Sequence, residues 1–293
     1  MRNAVDTTIS ILKLRIGSFI ALAALVGIVT GGGTLSPVKA LVFTLAVLGA
    51  SGAAGAFNQY FERKTDRLMA RTFARPFASG QLKEGWIWPA TFTMLLLASL
   101  LMAWSVSGWL PTLLVFLGAF TYGILYTLVL KRRTVWNVVI GGAAGSFALL
   151  AGAAAAAAPG AFPVGPVPMA LAVMLFFWTP PHFWALAVVR AEDYRRAGVP
   201  MLPVTHGPEV WGPVIFLHIA TLTAISILPL GLGLGVIYGV IALGSGAWFT
   251  WTGWKLMSDP SKEAARRVFH ASLAQFAALS FGVILDRLVA WYL

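Results

Sequence analysis

The sequence predicts an all-α polytopic membrane protein: nine transmembrane helices, set as two pseudo-symmetric four-helix halves plus a ninth helix around a central cavity, in a single transmembrane domain over residues 1–293. Three observations predict it. The chain is 59% hydrophobic and only 11% charged, whereas a soluble domain carries about 25% charged residues. Its apolar residues fall into nine stretches, each near the ~20 residues that a hydrocarbon core of about 30 Å demands. Its basic residues keep to alternate loops, as expected of a chain threaded through a bilayer.

Taken in order, the spans are expected at 13–31, 37–57, 88–106, 109–130, 136–157, 165–189, 212–231, 234–254 and 269–291. The first follows Arg2, Asp6, Lys13 and Arg15 and is long enough to stay as an anchor, with no cleavable signal peptide evident. Spans 3 and 4, and spans 7 and 8, are separated only by short uncharged turns, Val106-Ser-Gly-Trp109 and Leu230-Gly-Leu-Gly-Leu-Gly235. With the N-terminus in the cytoplasm, the loops near 58–87, 131–135, 190–211 and 255–268 share its side, which then holds every Lys and Arg except Lys39 and Arg287. The net charge of +11 therefore reports topology, and nucleic acid is not an expected partner. A bacterial inner membrane is the expected location. The chain has no cysteine, which excludes disulfides, thiolate metal sites and thiol redox chemistry. Gly141 to Gly145 and the alanine run from Ala151 to Ala158 read as close-packing faces.

Acids need a separate explanation. Nine of the ten Asp and Glu fall on the cytoplasmic side, gathered after span 2 and after span 6, which suggests an internal repeat. After span 2, Asn58, Glu62 and Asp66 recur at i, i+4, i+8, so on a helix they share one face. Arg67, Arg71 and Arg75 follow closely. After span 6, Glu192 and Asp193 form a second acidic pair, and Lys131-Arg132-Arg133 ends span 4 on the same side. Facing carboxylates repel unless a cation lies between them, and Mg²⁺ held by carboxylates also takes phosphate oxygens. Surplus Arg and Lys would grip the rest of a diphosphate. The residues alone thus point to a Mg²⁺-diphosphate site at the mouth of an apolar cavity, against simpler readings as helix-end ion pairs and a basic anchor. Pro180 and Pro181 are expected to break span 6, placing His182 toward the interior as a ligand, a proton carrier or a structural histidine.

The pattern Asn58-x-x-x-Glu62-x-x-x-Asp66 followed by Arg71-Thr-x-x-Arg75-Pro76 resembles the first signature of the UbiA-type intramembrane prenyltransferases, with Glu192-Asp193 where their second acidic motif is expected. Glu62, the Thr179-Pro-Pro-His-Phe-Trp-Ala-Leu186 run, Glu192-Asp-Tyr194, Gly198-x-Pro-Met-Leu-Pro203, Lys131-Arg-Arg-Thr134 and Asn137-Val-Val-Ile-Gly-Gly-Ala-Ala-Gly145 are similar to its haem O synthase branch. The likeness runs over about residues 10 to 290, with departures at Leu14, where a proline is usual, and at Gln275, which replaces a commoner aromatic. It implies that Asn58, Glu62, Asp66, Glu192 and Asp193 bind Mg²⁺ and the head group of farnesyl diphosphate. Arg67, Arg71, Arg75, Lys131 and Arg132 would contact the diphosphate, and His182 would serve haem. The implied reaction joins farnesyl to a vinyl group of haem b with addition of water, and the product would pass to a haem A synthase or terminal oxidase. A prenyltransferase acting on an aromatic acid and a secondary transporter are the competing readings; Glu62 and the Pro-Pro-His run favour haem, and the gathering of acids at one face disfavours transport.

Overall fold

The computed structural model describes residues 4–33, 35–158, 160 and 162–292, and among these the chain is helical, with one isolated bridge between Gly32 and Ala157 in place of any sheet. Helix α1 (Ala4–Ile11) leads into α2 (Leu14–Thr30) through a 54° bend. α3 (Pro37–Phe61) opens on Ser36, whose hydroxyl accepts from the Lys39 N–H, with Pro37 in the first turn where its missing N–H costs nothing. It stops at Glu62, and the single turn α4 (Arg63–Asp66) continues in nearly the same register. α5 (Ile87–Ser107) turns at Gly108, whose φ of 80° suits glycine, into α6 (Trp109–Phe120). α6 winds on as a π-helical stretch, Thr121–Leu130. α7 (Asn137–Gly141), α8 (Ala143–Ala155), α9 (Pro166–Val189), the short α10 (Ala191–Arg196) and α11 (Leu202–Thr205), then α12 (Pro208–Gly231), α13 (Val236–Ser258) and α14 (Lys262–Tyr292) complete the order.

Among the described residues, seven helices are long and apolar enough to cross a membrane, and the bent pair α1 and α2 would make an eighth. The protein is integral to a membrane. α13 reaches 23 residues, but its glycines, threonines and tryptophans dilute its apolar character. Half of the most apolar stretch of α3, of α9 and of α14 is buried, against 17% in α5. The first three are therefore interior helices, and α5 turns most of its surface outward.

Two apolar cores organise the packing. One joins α9, α12, α13 and α14 around Trp184, Ile215, Leu222, Phe249 and Val268. The other joins α2, α3, α5, α6 and α8 around Phe43, Ala46, Ala103, Val115 and Ala151. They meet where α8 touches α9 and where α14 touches α2. The expected small-residue faces are real: a Cβ on Gly27 would stand 2.0 Å from the Leu149 carbonyl oxygen, and one on Gly152 would stand 1.9 Å from that of Ala24. α2 and α8 are thus in backbone contact, the approach that small residues permit in membranes. A small apolar cavity of about 10 Å³ lies among α2, α8, α9 and α14, lined by residues such as Ala23, Leu171 and Leu279, remote from the acidic segments.

One expectation is corrected. Pro180 and Pro181 do not break α9, which runs unbroken from Pro166 to Val189. The prolines remove two N–H groups, but the helix is wedged between α12 and α14, and Trp178 Nε1 donates to the Ser272 carbonyl of α14 at 2.8 Å. Neighbouring helices of this kind hold a proline-containing span together. The one acid expected on the far side also finds a purpose. Asp286 of α14 accepts from the Gly235 and Tyr238 N–H groups at 2.8 and 3.3 Å, so it caps the start of α13 from a different helix.

Candidate active site

The last turn of α3 carries Asn58 and Glu62 caps its end, each only 2% exposed, and α4 carries the fully buried Asp66. Asn58 Nδ2 donates to Glu62 Oε2 and to Thr127 Oγ1 of the π stretch, both at 3.0 Å. Asn58 Oδ1 receives the Lys13 ammonium at 2.5 Å, and the same ammonium donates to the Tyr122 hydroxyl at 2.8 Å. Lys131 donates to Glu62 Oε2 at 2.5 Å, and Arg75 to Asp66 Oδ2 at 2.7 Å. Asn58 and Glu62 are thus hydrogen-bonded across one turn, while Asp66 lies beyond the end of α3, on α4, and is held by Arg75.

The second acidic segment reaches the first through a backbone bond. Asp193 Oδ1 accepts from the Ala70 N–H at 3.1 Å and from Arg196 at 2.7 Å. Glu192 is not brought in: it is exposed and paired with Arg195 at 2.6 Å. Among the expected diphosphate ligands, Arg75 and Lys131 touch the acids, and Arg132 donates to Thr65 Oγ1. Arg67 donates to the Ala78 carbonyl, which pins the loop, and Arg71 is exposed nearby. The loop itself is held by an aromatic cluster of Tyr60, Phe77, Trp88 and Phe92 with ring centroids 5.1 to 6.4 Å apart.

The electrostatics follow from this pairing. Burial pushes the Glu62 carboxyl up, but the charge and hydrogen bond of Lys131, with Lys13 and the Asn58 amide, hold it below its ordinary value. For Asp193, burial likewise pushes up, and the Ala70 N–H and Arg196 outweigh it. Burial raises the Tyr194 phenol.

Among the described residues, no three Asp, Glu or His side chains converge as a ready cation cage. The donor set nevertheless fits a hard cation in part, because Asp66 Oδ1 and Asp193 Oδ2 are buried and accept no hydrogen bond. Buried oxygens without a donor are costly and rare, and a bound cation would satisfy them.

His182 is placed differently from the acids. Its ring lies between Trp178 and Phe269, with centroids 4.5 and 4.6 Å away, and Nδ1 is 2.7 Å from Ser272 Oγ. Ser272 Oγ spends its hydrogen on the Phe269 carbonyl at 2.7 Å, so it must accept from His182. Nδ1 then carries the proton and Nε2 keeps its lone pair. A ligating histidine is commonly fixed in this way, by a partner on its other nitrogen.

Two residues that bond Asn58 were not among the expected site residues, Lys13 and Thr127. Lys13 is the residue before Leu14, the position that departs from the family pattern, so a signal was present. Thr127 left none, because only the π-helical register turns it toward Asn58.

The fold and this acid-base mouth define an intramembrane prenyltransferase, and the family model described as the UbiA prenyltransferase family matches residues 19–279. The chain belongs to the UbiA prenyltransferase family. It is 45% identical, over 96% of each chain, to protoheme IX farnesyltransferase 2 of Paramagnetospirillum magneticum. It is 42% identical to protoheme IX farnesyltransferase 1 of the same organism, over 95% of this chain and 97% of the other. A protoheme IX farnesyltransferase of Granulibacter bethesdensis is 34% identical over 99% of this chain and 92% of its own. Among solved structures, a digeranylgeranylglyceryl phosphate synthase superposes with a TM-score of 0.77 at 17% identity, covering 97% of this chain and 98% of that one. A UbiA homolog from Archaeoglobus fulgidus bound to GPP and Mg²⁺ superposes with a TM-score of 0.68 at 19% identity, covering 95% and 99%. At such identities the structures establish the fold alone.

Proposed function

We propose that this chain transfers the farnesyl group of farnesyl diphosphate to a vinyl group of haem b, with addition of water, forming haem O and diphosphate. The observation that carries the site is the Ala70–Asp193 bond, which ties the second acidic segment to the first beside two unpartnered carboxylate oxygens. The choice of haem and farnesyl rests on the nearly full-length likeness to the protoheme IX farnesyltransferases. No observation favours the aromatic-acid or transporter reading.

In this reading Asn58, Glu62, Asp66 and Asp193 would hold Mg²⁺, with Glu192 at the rim. The metal would supply neutralisation of the charge that gathers on the departing diphosphate. Arg75 and Lys131, now on Asp66 and Glu62, turn to the phosphate oxygens, joined by Arg67, Arg71 and Arg132. The farnesyl C–O bond breaks and its electron pair leaves with diphosphate. Tyr122, Tyr126 and Phe57 present ring faces to the allylic cation. The vinyl π electrons form the new C–C bond, and water then adds to the porphyrin-side cation and loses a proton. His182 would offer Nε2 to the haem iron.

The wider frame belongs to the same proposal. α2, α3, α5, α6 with its π stretch, α7 with α8, α9, α12, α13 and α14 make nine spans of one domain, the first eight related in two halves around a central cavity. The N-terminus and the acidic loops face the cytoplasm of a bacterial inner membrane, and haem O passes to a haem A synthase or terminal oxidase. Purified protein given haem b, farnesyl diphosphate and Mg²⁺ should yield a porphyrin heavier by farnesyl plus water by mass spectrometry. Prenylation of an aromatic acid without that product would sink the haem assignment.

A further inference from the structure

Lys13 lies in the bend between α1 and α2 and is the one non-glycine residue with positive φ (49°) among those described. Such a backbone is unfavourable for a side chain with a Cβ, so the surroundings must hold it there. Gly55 of α3 does part of this, since a Cβ at that position would press on the Lys13 stem, with Lys13 Cδ 3.4 Å away. The stem is thereby led from the first helices to the end of α3, where the ammonium meets Asn58 Oδ1 and the Tyr122 hydroxyl.

The partners of Asn58 make this contact decisive. Both amide hydrogens are already committed, to Glu62 and to Thr127. Oδ1 is the atom with which Asn58 can ligate a metal, and Lys13 occupies it. An ammonium and a divalent cation cannot share one amide oxygen at contact distance without strong repulsion. Lys13 has three donors, and its third N–H takes no acceptor among the described residues, so it can transfer to a phosphate oxygen without losing Tyr122.

We propose that Lys13 is a placeholder cation: it holds Asn58 in ligand orientation, keeps bare divalent metal off Oδ1, and yields that oxygen only when a diphosphate arrives to accept its ammonium. This rests on the metal-diphosphate reading above. Metal and diphosphate then bind synergistically, each raising the affinity of the other by the same factor. Lys13 acts as a positioning residue toward Asn58 and as a diphosphate contact in the loaded site.

The test measures Mn²⁺ binding by the free-ion electron paramagnetic resonance signal, with purified full-length protein in detergent, with and without farnesyl thiolodiphosphate. The wild type should bind Mn²⁺ weakly alone and tightly with the analogue. K13M keeps the stem and removes the charge; it should bind bare Mn²⁺ roughly tenfold more tightly, a shift of about 1.4 kcal/mol, and lose most of the enhancement by the analogue. K13R, which keeps the charge, should exclude bare Mn²⁺ as the wild type does. Monodisperse elution checks that each variant is folded, and K13Q, which also removes the charge, takes the place of K13M if K13M is not. Unchanged or weaker bare-metal binding in folded K13M, or tight bare-metal binding in K13R, overturns the placeholder role while leaving the metal site standing. Failure of every protein to bind Mn²⁺ even with the analogue overturns the metal reading and the proposal together.

Discussion

Glu62 shows how one residue is governed by charges from other parts of the chain. Lys131 comes from the end of the π stretch, Lys13 from the bend before α2, and Asn58 from one helical turn earlier. Their combined pull holds the carboxyl below its ordinary value despite burial, and this sets the sign of a pH effect. A carboxylate lowered in the fold contributes its stability fully above the unfolded value of about 4.3, and loses it as pH falls through the lower folded value. In metal-free protein, E62Q should therefore melt below wild type at neutral pH, and the gap should close as pH falls below about 4. A gap independent of pH would show that packing and not charge makes the contribution. In the mass-spectrometric assay, E62Q and D66N should each cost at least about 100-fold in turnover, as removal of a charge-stabilising group does; near-wild-type rates would reduce the acid row to helix-end ion pairs. His182 gives a second residue-scale prediction. S272A removes the acceptor that fixes Nδ1–H, and farnesylation should fall about 10- to 100-fold, the usual cost of losing a partner behind a ligating histidine, with a weakened haem Soret shift on binding. An unaltered Soret band and rate would leave His182 as a packing residue.

At the scale of elements, α2 and α8 depend on having no side chain where they cross. G27A or G152A would drive a methyl group into a carbonyl oxygen that belongs to rigid helix backbone, at 2.0 and 1.9 Å. Overpacking costs about 1–3 kcal/mol or more, so either variant should lower the melting temperature in detergent clearly. G244A is the control: nothing lies within 4 Å of its would-be Cβ on α13, and it should be neutral. Equal effects of all three would mean that the close crossing does not limit stability. Span positions were legible in the sequence because a bilayer demands long apolar runs, and helix ends match the expected limits to within a few residues for most spans. α14 is the exception at its start, beginning at Lys262 where 269 was expected. Its first turns, with Glu263, Arg266 and Arg267, are too charged to register as a span yet are good helix formers outside one. α9 misled in the other direction, because proline chemistry is local and the neighbours that hold the helix together are not.

For the molecule as a whole, the proposed topology puts the polar loops on one side of the membrane, and the lack of cysteine makes that sidedness simple to test. A single cysteine at Ser79 or Ser261 should react with a membrane-impermeant maleimide only from the cytoplasmic side, and one at the exposed Phe162 only from the other. Labelling of Ser79→Cys and Phe162→Cys from the same side would overturn the topology. The class of fold and the identity of the acids were written in the order of residues, since both depend on regular spacing: ~20 apolar residues for a span and four for a helical turn. Which bases Asn58 and Glu62 hold was not, because Lys13 stands 45 residues from Asn58 and Lys131 stands 69 from Glu62. Glu192 and Asp193 are neighbours in the chain, yet helix α10 turns one to the Ala70 backbone and the other to solvent. Such choices arise when helices pack, because packing alone sets which face of a turn is enclosed and which charge is left to find a buried counterpart.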